Sequence, residues 1–240
     1  MSDARKTIKI LYLYPYEMNT YGDWGNVQVL RMRLQWRGWN TEVIEHRPGD
    51  SLPSDPDIIF FGGGQDSGQS LIIDDLQKNS DRLHAWIEAG KPMLAICGGY
   101  QLLGREFVTQ EGDSMPGLGV LDLRTVARSD RLIGNVVLKS PIFGTVVGFE
   151  NHSGRTFLGS GLTPLGAVTQ GAGNNNEDKG EGVIYKSTIG TYLHGPLLPK
   201  NPRVADWLIE RALPEMNKNL MQLPDTYVAQ ARAIAERRPR

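Results

Sequence analysis

Over residues 8–96 short apolar runs alternate with stretches of helical spacing, and this alternation restricts the fold more than any other feature. Ile8 to Tyr14 reads as a strand closed by Pro15, and Asn26 to Arg37 as a helix with Val27, Leu30 and Leu34 on one face. Thr41 to Glu45 and Asp57 to Phe61 are the next strands. Asp74 to Ala89 reads as one helix, stopped by Gly90 and Pro92, and Met93 to Ile96 as a fourth strand. Units in this order form right-handed βαβ crossovers and a largely parallel sheet, an α/β fold. Ligands bind such sheets beyond the carboxyl ends of the strands. Pro15 to Asn26, Gly62 to Gly68 and Cys97 all fall at such ends, so three strand ends converge on one crevice.

The second half reads differently. Leu132 to Lys139, Thr145 to Phe149, Gly182 to Tyr185 and Ile189 to Leu193 are β-rich with short turns, which predicts antiparallel additions to the same sheet. The polar, glycine-rich stretch Gly171 to Gly180 reads as a mobile hairpin tip. Pro202 to Ala212 and Asp225 to Arg237 read as helices. With no internal repeat and no linker, the expectation is a single domain over residues 1–240, its core about 8–213 and its helical tail 214–240. The basic end, Arg237 to Arg240, reads as a solvated tail.

Composition closes off several classes of function. Twenty-six Lys and Arg against 27 Asp and Glu, interspersed, make neither a nucleic-acid groove nor a membrane-surface patch. Apolar stretches are strand-length, too short to span a bilayer, and Met1 to Thr7 lacks a signal-peptide core. A single cysteine excludes an intrachain disulfide and suits a reducing compartment, so a cytoplasmic location is expected. The sequon Asn151-His152-Ser153 would not meet glycosylation machinery there.

That cysteine, Cys97, ends the apolar run Met93-Leu94-Ala95-Ile96 and precedes Gly98-Gly99-Tyr100-Gln101. A lone cysteine can be a small buried hydrophobe. Placed between strand and helix among residues without bulk, it can instead be the thiol counterpart of a nucleophile elbow. A helix N-terminus favours negative charge, and the thiolate is the reactive form of cysteine. Gly62-Gly63-Gly64 fits no nucleotide loop: Gln69 stands where a phosphate loop needs lysine, and Ser67 where a dinucleotide fingerprint needs its third glycine. The glycines form either a tight turn or a source of backbone N–H groups for a developing oxyanion. Of four histidines, His46 and His84 read as structural or surface residues. His194 ends a strand before Gly195 and can reach the crevice of Cys97, as general base or as a satisfied structural histidine. No spacing of His, Cys and carboxylates suggests a metal site.

Taken together, Ala95-Ile96-Cys97-Gly98-Gly99-Tyr100-Gln101-Leu102-Leu103-Gly104 and Gly190-Thr191-Tyr192-Leu193-His194-Gly195-Pro196 resemble the class I glutamine amidotransferases, most closely the cobyric-acid-synthase-like branch. Tyr21-Gly22-Asp23-Trp24-Gly25-Asn26, Gly62-Gly63-Gly64-Gln65-Asp66 and Gly148 to Thr156 narrow the likeness to the stand-alone glutaminase subunits of lipid II isoglutaminyl synthase. The resemblance spans about residues 8 to 205. It implies a flavodoxin-like fold: a mostly parallel central sheet, helices on both faces and added antiparallel strands. It also implies that Cys97 attacks glutamine and His194 moves the proton. Gly63, Gly64 and Gly98 would hold the oxyanion, and Arg131, with Arg128 as its rival, the substrate. Gln101, Asn151, His152 and Ser153 would shape the pocket. Many relatives carry a glutamate two residues after the histidine, to orient it. Here Pro196 stands there, so either another acid of this chain or one from a partner must serve, and the partner is the expectation.

Released ammonia is mostly protonated at neutral pH and so is a poor product without an acceptor site nearby. The chain carries no ATP-binding motif, so the resemblance implies a Mur-ligase-like synthetase partner in a heterodimer. ATP and magnesium would sit on that partner, none in this chain, and the partner would amidate D-glutamate of the lipid II stem peptide to D-isoglutamine. Three alternatives stay open: another acceptor such as a corrinoid acid, a γ-glutamyl cysteine peptidase, or a non-catalytic binding subunit.

Overall fold

The computed structural model describes residues 6–213 and 219–239; the expected leader-free start at residues 1–5 and the start of the tail at 214–218 lie outside them. In chain order the elements are β1 (Ile8–Leu13), α1 (Trp24–Gln35), β2 (Thr41–His46), β3 (Ile58–Phe61), α2 (Asp66–Lys78), α3 (Ser80–Glu88), β4 (Met93–Ile96) and α4 (Gly98–Leu102). Then follow β5 (Glu106–Val108), β6 (Ser114–Pro116), β7 (Leu123–Ser140), β8 (Gly144–Leu158), β9 (Gly166–Gln170), β10 (Gly180–Glu181), β11 (Val183–Tyr185), β12 (Thr188–Thr191), α5 (Pro202–Ala212) and α6 (Thr226–Ala235).

The first sheet runs β11-β12-β4-β3-β1-β2, with every neighbour parallel except β11 on β12. Its central strands are buried on both faces, as a parallel sheet between helices requires. Ile10, Tyr12, Ile58, Phe60, Leu94 and Ile96 pack against α1 and α5. The alternate residues Leu11, Leu13, Ile59, Phe61, Met93 and Ala95 pack against α2 and α3. Cys97 touches both cores, at the seam between them.

Three expectations need correction. The helix expected over 74–89 is two helices with Asn79 between them, whose side-chain amide donates to the carbonyl of Asp75 at 2.9 Å. Such side-chain bonds compete with the helical ladder. Two of the four strands expected to extend the first sheet, Leu132 to Lys139 and Thr145 to Phe149, instead belong to a second one, ordered β10-β9-β7-β5-β6 with β8 along β7. Only β11 is an antiparallel addition to the first sheet. β12 joins it parallel to β4, because the intervening second sheet brings the chain back in the same direction. Lastly, the first half of the stretch 171–180 is packed rather than a mobile tip, and only residues 176–179 are exposed. Asn174 and Asn175 are buried, and the Glu150 carboxylate accepts the N–H groups of Ala172 and Gly173, both at 2.9 Å. Asn174 and Gly182 exchange hydrogen bonds, and Asn175 donates to the Thr156 carbonyl. The polar residues turn inward because buried backbone groups need partners.

Among the described residues no helix is long and apolar enough to cross a membrane.

Candidate active site

Cys97 stands between β4 and α4 with φ 48° and ψ −104°, a region that L-residues occupy only under constraint. Its N–H donates to the Thr191 carbonyl at 2.8 Å, tying the bend to the end of β12. That sharp turn aims the side chain out of the sheet at the first turn of α4, as an elbow does. Gly98 permits the Gly62–Gly64 loop to lie against the elbow. A Cβ there would come within 2.7 Å of the Gly64 carbonyl oxygen and 2.9 Å of its nitrogen.

His194 follows β12 by three residues and is fixed by a two-way backbone pairing with β8. Its N–H donates to the Phe149 carbonyl at 2.8 Å and its carbonyl accepts from Phe149 at 3.3 Å. The second sheet therefore places the histidine over the first. Asp23, fully buried ahead of α1, sets Oδ1 3.3 Å from His194 Nδ1. This leaves Nε2 buried, with no other hydrogen-bond partner among the described residues, for Cys97. Burial lowers the imidazole's pKa. The attraction of Cys97 and the hydrogen bond and charge of Asp23 outweigh burial and raise it to about 10. An acid of this chain thus occupies the position for which a partner residue was expected. Its signal lay in the sequence as the one acid of Tyr21-Gly22-Asp23-Trp24-Gly25-Asn26, at the carboxyl end of β1.

The glycine loop divides its labour. Gly63 donates its N–H to Asp23 Oδ2 at 2.8 Å, so that N–H is committed to the acid and does not point at an oxyanion, contrary to expectation. A Cβ at Gly63 would lie 2.8 Å from His194 Cε1, 2.9 Å from Asp23 Oδ2 and 3.2 Å from Cys97 Cβ. Glycine is needed there because three side chains converge on its Cα. Gly64 lines the same cavity as Cys97, and Gly98 opens α4, where N–H groups lack intrahelical acceptors.

Cys97, His194 and Gly64 line a cavity of about 420 Å³ that also takes in Gln101, Asn151, His152 and Ser153. Gln101 donates to Tyr192 Oη at 3.1 Å and accepts from Gln69, a residue not anticipated, at 3.0 Å. His152 stacks on Tyr192 with ring centroids 3.6 Å apart, and Nδ1 lies 2.7 Å from the Gly154 carbonyl. Burial pushes the His152 pKa down against the pull of nearby Glu150, which favours the neutral ring. Arg128 and Arg131 reach the same cavity through a bulge. The β7–β8 register jumps between Ala127 and Leu132, so residues 128–131 leave the ladder and turn toward the thiol. Arg131 donates Nε and Nη2 to Asn151 Oδ1 and O, at 2.9 and 3.0 Å, whereas Arg128 has no hydrogen bond or ion pair among the described residues.

A cysteine on an elbow, a histidine and a buried carboxylate over the ends of a doubly wound sheet form an arrangement of the kind that thiol-dependent hydrolases of carbonyl compounds use. Comparison narrows the class. The chain belongs to the CobB/CobQ-like glutamine amidotransferase domain family, whose model matches residues 9–202. It is 46% identical over 206 residues, 85% of this chain and 84% of that protein, to a "Lipid II isoglutaminyl synthase (glutamine-hydrolyzing) subunit GatD" of Staphylococcus aureus. A Streptococcus pneumoniae protein of the same description is 41% identical over 95% of this chain. A cobyric acid synthase of Pelotomaculum thermopropionicum is 33% identical over 62% of this chain, which corresponds to only 31% of that longer protein. In fold, the chain resembles PurLQS from Thermotoga maritima with a TM-score of 0.59 at 15% identity, covering 85% of this chain and 98% of that one.

Proposed function

We propose that the chain is the glutaminase subunit of a lipid II isoglutaminyl synthase. In this role it hydrolyses L-glutamine and hands ammonia to a Mur-ligase-like, ATP-dependent synthetase that amidates D-glutamate of the lipid II stem peptide. The observation that carries the reading is the likeness over 85% of the chain to a subunit of that description, with Cys97, His194 and Asp23 assembled at the strand ends.

The geometry supports the following reaction. With its pKa raised to about 10, His194 already carries the thiol's proton on Nε2 at neutral pH, and Cys97 Sγ bonds to the side-chain amide carbon of glutamine as the C=O electron pair moves onto oxygen. The oxyanion lies toward the N–H groups of Gly64 and Gly98. Collapse breaks the C–N bond, the imidazolium gives its proton to the departing ammonia, and a γ-glutamyl thioester remains. Water, losing a proton to the same nitrogen, adds to the thioester, and glutamate leaves as the thiol is restored. Asp23 holds Nδ1–H throughout and stabilises the imidazolium. The α-carboxylate sits at the arginine end of the cavity, near Arg131 and Arg128, where forked guanidiniums suit it. ATP and magnesium belong to the synthetase, and the need for a reduced thiol suits a cytoplasmic location.

The test is glutamine hydrolysis by the chain alone and with its co-purified synthetase, with and without ATP and lipid II. Glutamate release that disappears in Cys97→Ala, together with amidated lipid II from the complex, is expected. Release that survives Cys97→Ala refutes the enzyme reading; glutamine hydrolysis with no lipid II amidation refutes the acceptor.

A further inference from the structure

Tyr21 lies in a 3-10 turn, Thr20–Gly22, between β1 and α1, with φ 59° and ψ 22° and half its surface exposed. A bulky aromatic in the left-handed region is strained. The next residue, Gly22, holds φ 74° without that strain, so the turn does not itself demand a tyrosine. The strained position brings two contacts. The ring meets the His194 imidazole edge-on, with centroids 5.1 Å apart and planes at 76°. The hydroxyl accepts a hydrogen bond from Asn151 Nδ2.

Asn151 is gripped from its other side by Arg131. A continuous chain of contacts therefore runs from the imidazole through Tyr21 and Asn151 to the guanidinium. It spans both sheets: Tyr21 hangs from the first, whereas Asn151 and Arg131 stand on β8 and the bulge of β7. The turn is also anchored to the glycine loop, since Thr20 N–H donates to the Gly63 carbonyl at 2.9 Å.

We propose that Tyr21 is a positioning residue that couples occupancy of the arginine end of the cavity to the placement of His194 over Cys97; this rests on the glutaminase reading above. A carboxylate arriving at Arg131 draws on the same N–H groups that hold Asn151. The amide answers by changing its hold on the Tyr21 hydroxyl, and the ring carries the change to the imidazole. Head-group binding thereby prepares the proton carrier for the side-chain amide.

The experiment compares wild type, Tyr21→Phe and Tyr21→Ala in glutamine hydrolysis, and follows His194 by ¹H–¹³C spectroscopy with and without L-glutamate. Loss of the hydroxyl alone should raise KM about 3–10-fold, the scale of one hydrogen bond, and lower kcat less. Loss of the ring should lower kcat about 10–100-fold through misplacement of the imidazole. In wild type the His194 resonance should respond to glutamate, and in Tyr21→Ala that response should vanish while Tm stays within a few degrees. Kinetic constants within twofold of wild type, a persisting response in Tyr21→Ala, or losses that Phe fails to rescue and that track a lower Tm overturn the proposal. A wild type that neither hydrolyses glutamine nor responds to glutamate refutes the glutaminase reading. The ligand-free His194 titration, changed or unchanged in Tyr21→Ala, then still decides whether Tyr21 positions the ring.

Discussion

Asp23→Asn should disable the site by reversing one hydrogen bond. Asp23 is fully buried and serves two groups, accepting from Gly63 N–H at 2.8 Å through Oδ2 and facing His194 Nδ1 at 3.3 Å through Oδ1. An asparagine has one acceptor oxygen, and the backbone N–H can only donate, so that oxygen stays with Gly63. The amide NH₂ then faces Nδ1, which must accept, and the ring proton moves to Nε2, the nitrogen that has to receive the thiol proton. The charge is lost as well. The rise of the His194 pKa from 6.5 to about 10 corresponds to on the order of 5 kcal/mol in favour of the imidazolium, shared between Cys97 and Asp23 against the cost of burial. Removing one charged partner should lower the titration by about 1–3 pH units, and the wrong tautomer should lower kcat by about 10²–10⁴-fold.

Glutamate release gives the rate. A ¹³C-histidine titration, with the His194 signal assigned by its loss in His194→Gln, gives the shift. Sign matters for stability too. A folded-state pKa above the unfolded 6.5 contributes stability that is complete below about pH 6.5 and lost as pH rises through about 10. In Asp23→Asn that alkaline loss should start from the same pH but be smaller and end at lower pH. Hydrolysis within threefold of wild type and an unmoved His194 titration would refute the argument. Full recovery of the variant on adding the synthetase would also refute it, by giving the acid's role back to the partner.

Two further outcomes follow from neighbouring geometry. Gly63→Ala puts a methyl 2.8 Å from His194 Cε1 and 3.2 Å from Cys97 Cβ, so it should cost about 1–3 kcal/mol in urea unfolding. It should also lower kcat about 100-fold, because the three reacting groups are pushed apart; retained turnover in steady-state assays would show that the loop yields. Glu181 is fully buried below β12, and burial raises its pKa to about 7 against the hydrogen bonds of Thr191 and Tyr192. An acid so raised binds its proton more tightly folded than unfolded, so stability should fall as pH rises from about 4.5 through about 7. Glu181→Gln should flatten that slope in chemical denaturation measured across the range.

Much of the frame is legible in local pattern. The continuous apolar run Ile10, Leu11, Tyr12 and Leu13, the apolar run before Cys97, the two glycines after it and the histidine just beyond β12 are short-range signals. Side-chain periodicity and turn chemistry act over a few residues, so they can be read without knowing the partners. The α/β order and the crevice at the strand ends come from that level, whereas the pairing of Cys97 with His194 comes from the family resemblance.

Tertiary structure decided the rest. Asp23 lies 171 residues from His194, and only the closure of the parallel sheet brings their side chains together in one buried space. Arg128 and Arg131 turn toward the thiol because β7 slips against β8 between Ala127 and Leu132, a register event with no local signature. The glycine-rich stretch 171–180 looks solvent-bound by composition, yet it is held by Glu150, Thr156 and Gly182, residues that reach it only in the fold. Gly63 shows the limit most plainly. A glycine there suggested a free N–H, but the folded chain uses it to brace the acid and to leave room for three converging side chains. Which elements form is encoded by neighbours in sequence. Which groups meet, and which hydrogen bonds remain free for chemistry, depends on long-range register and packing.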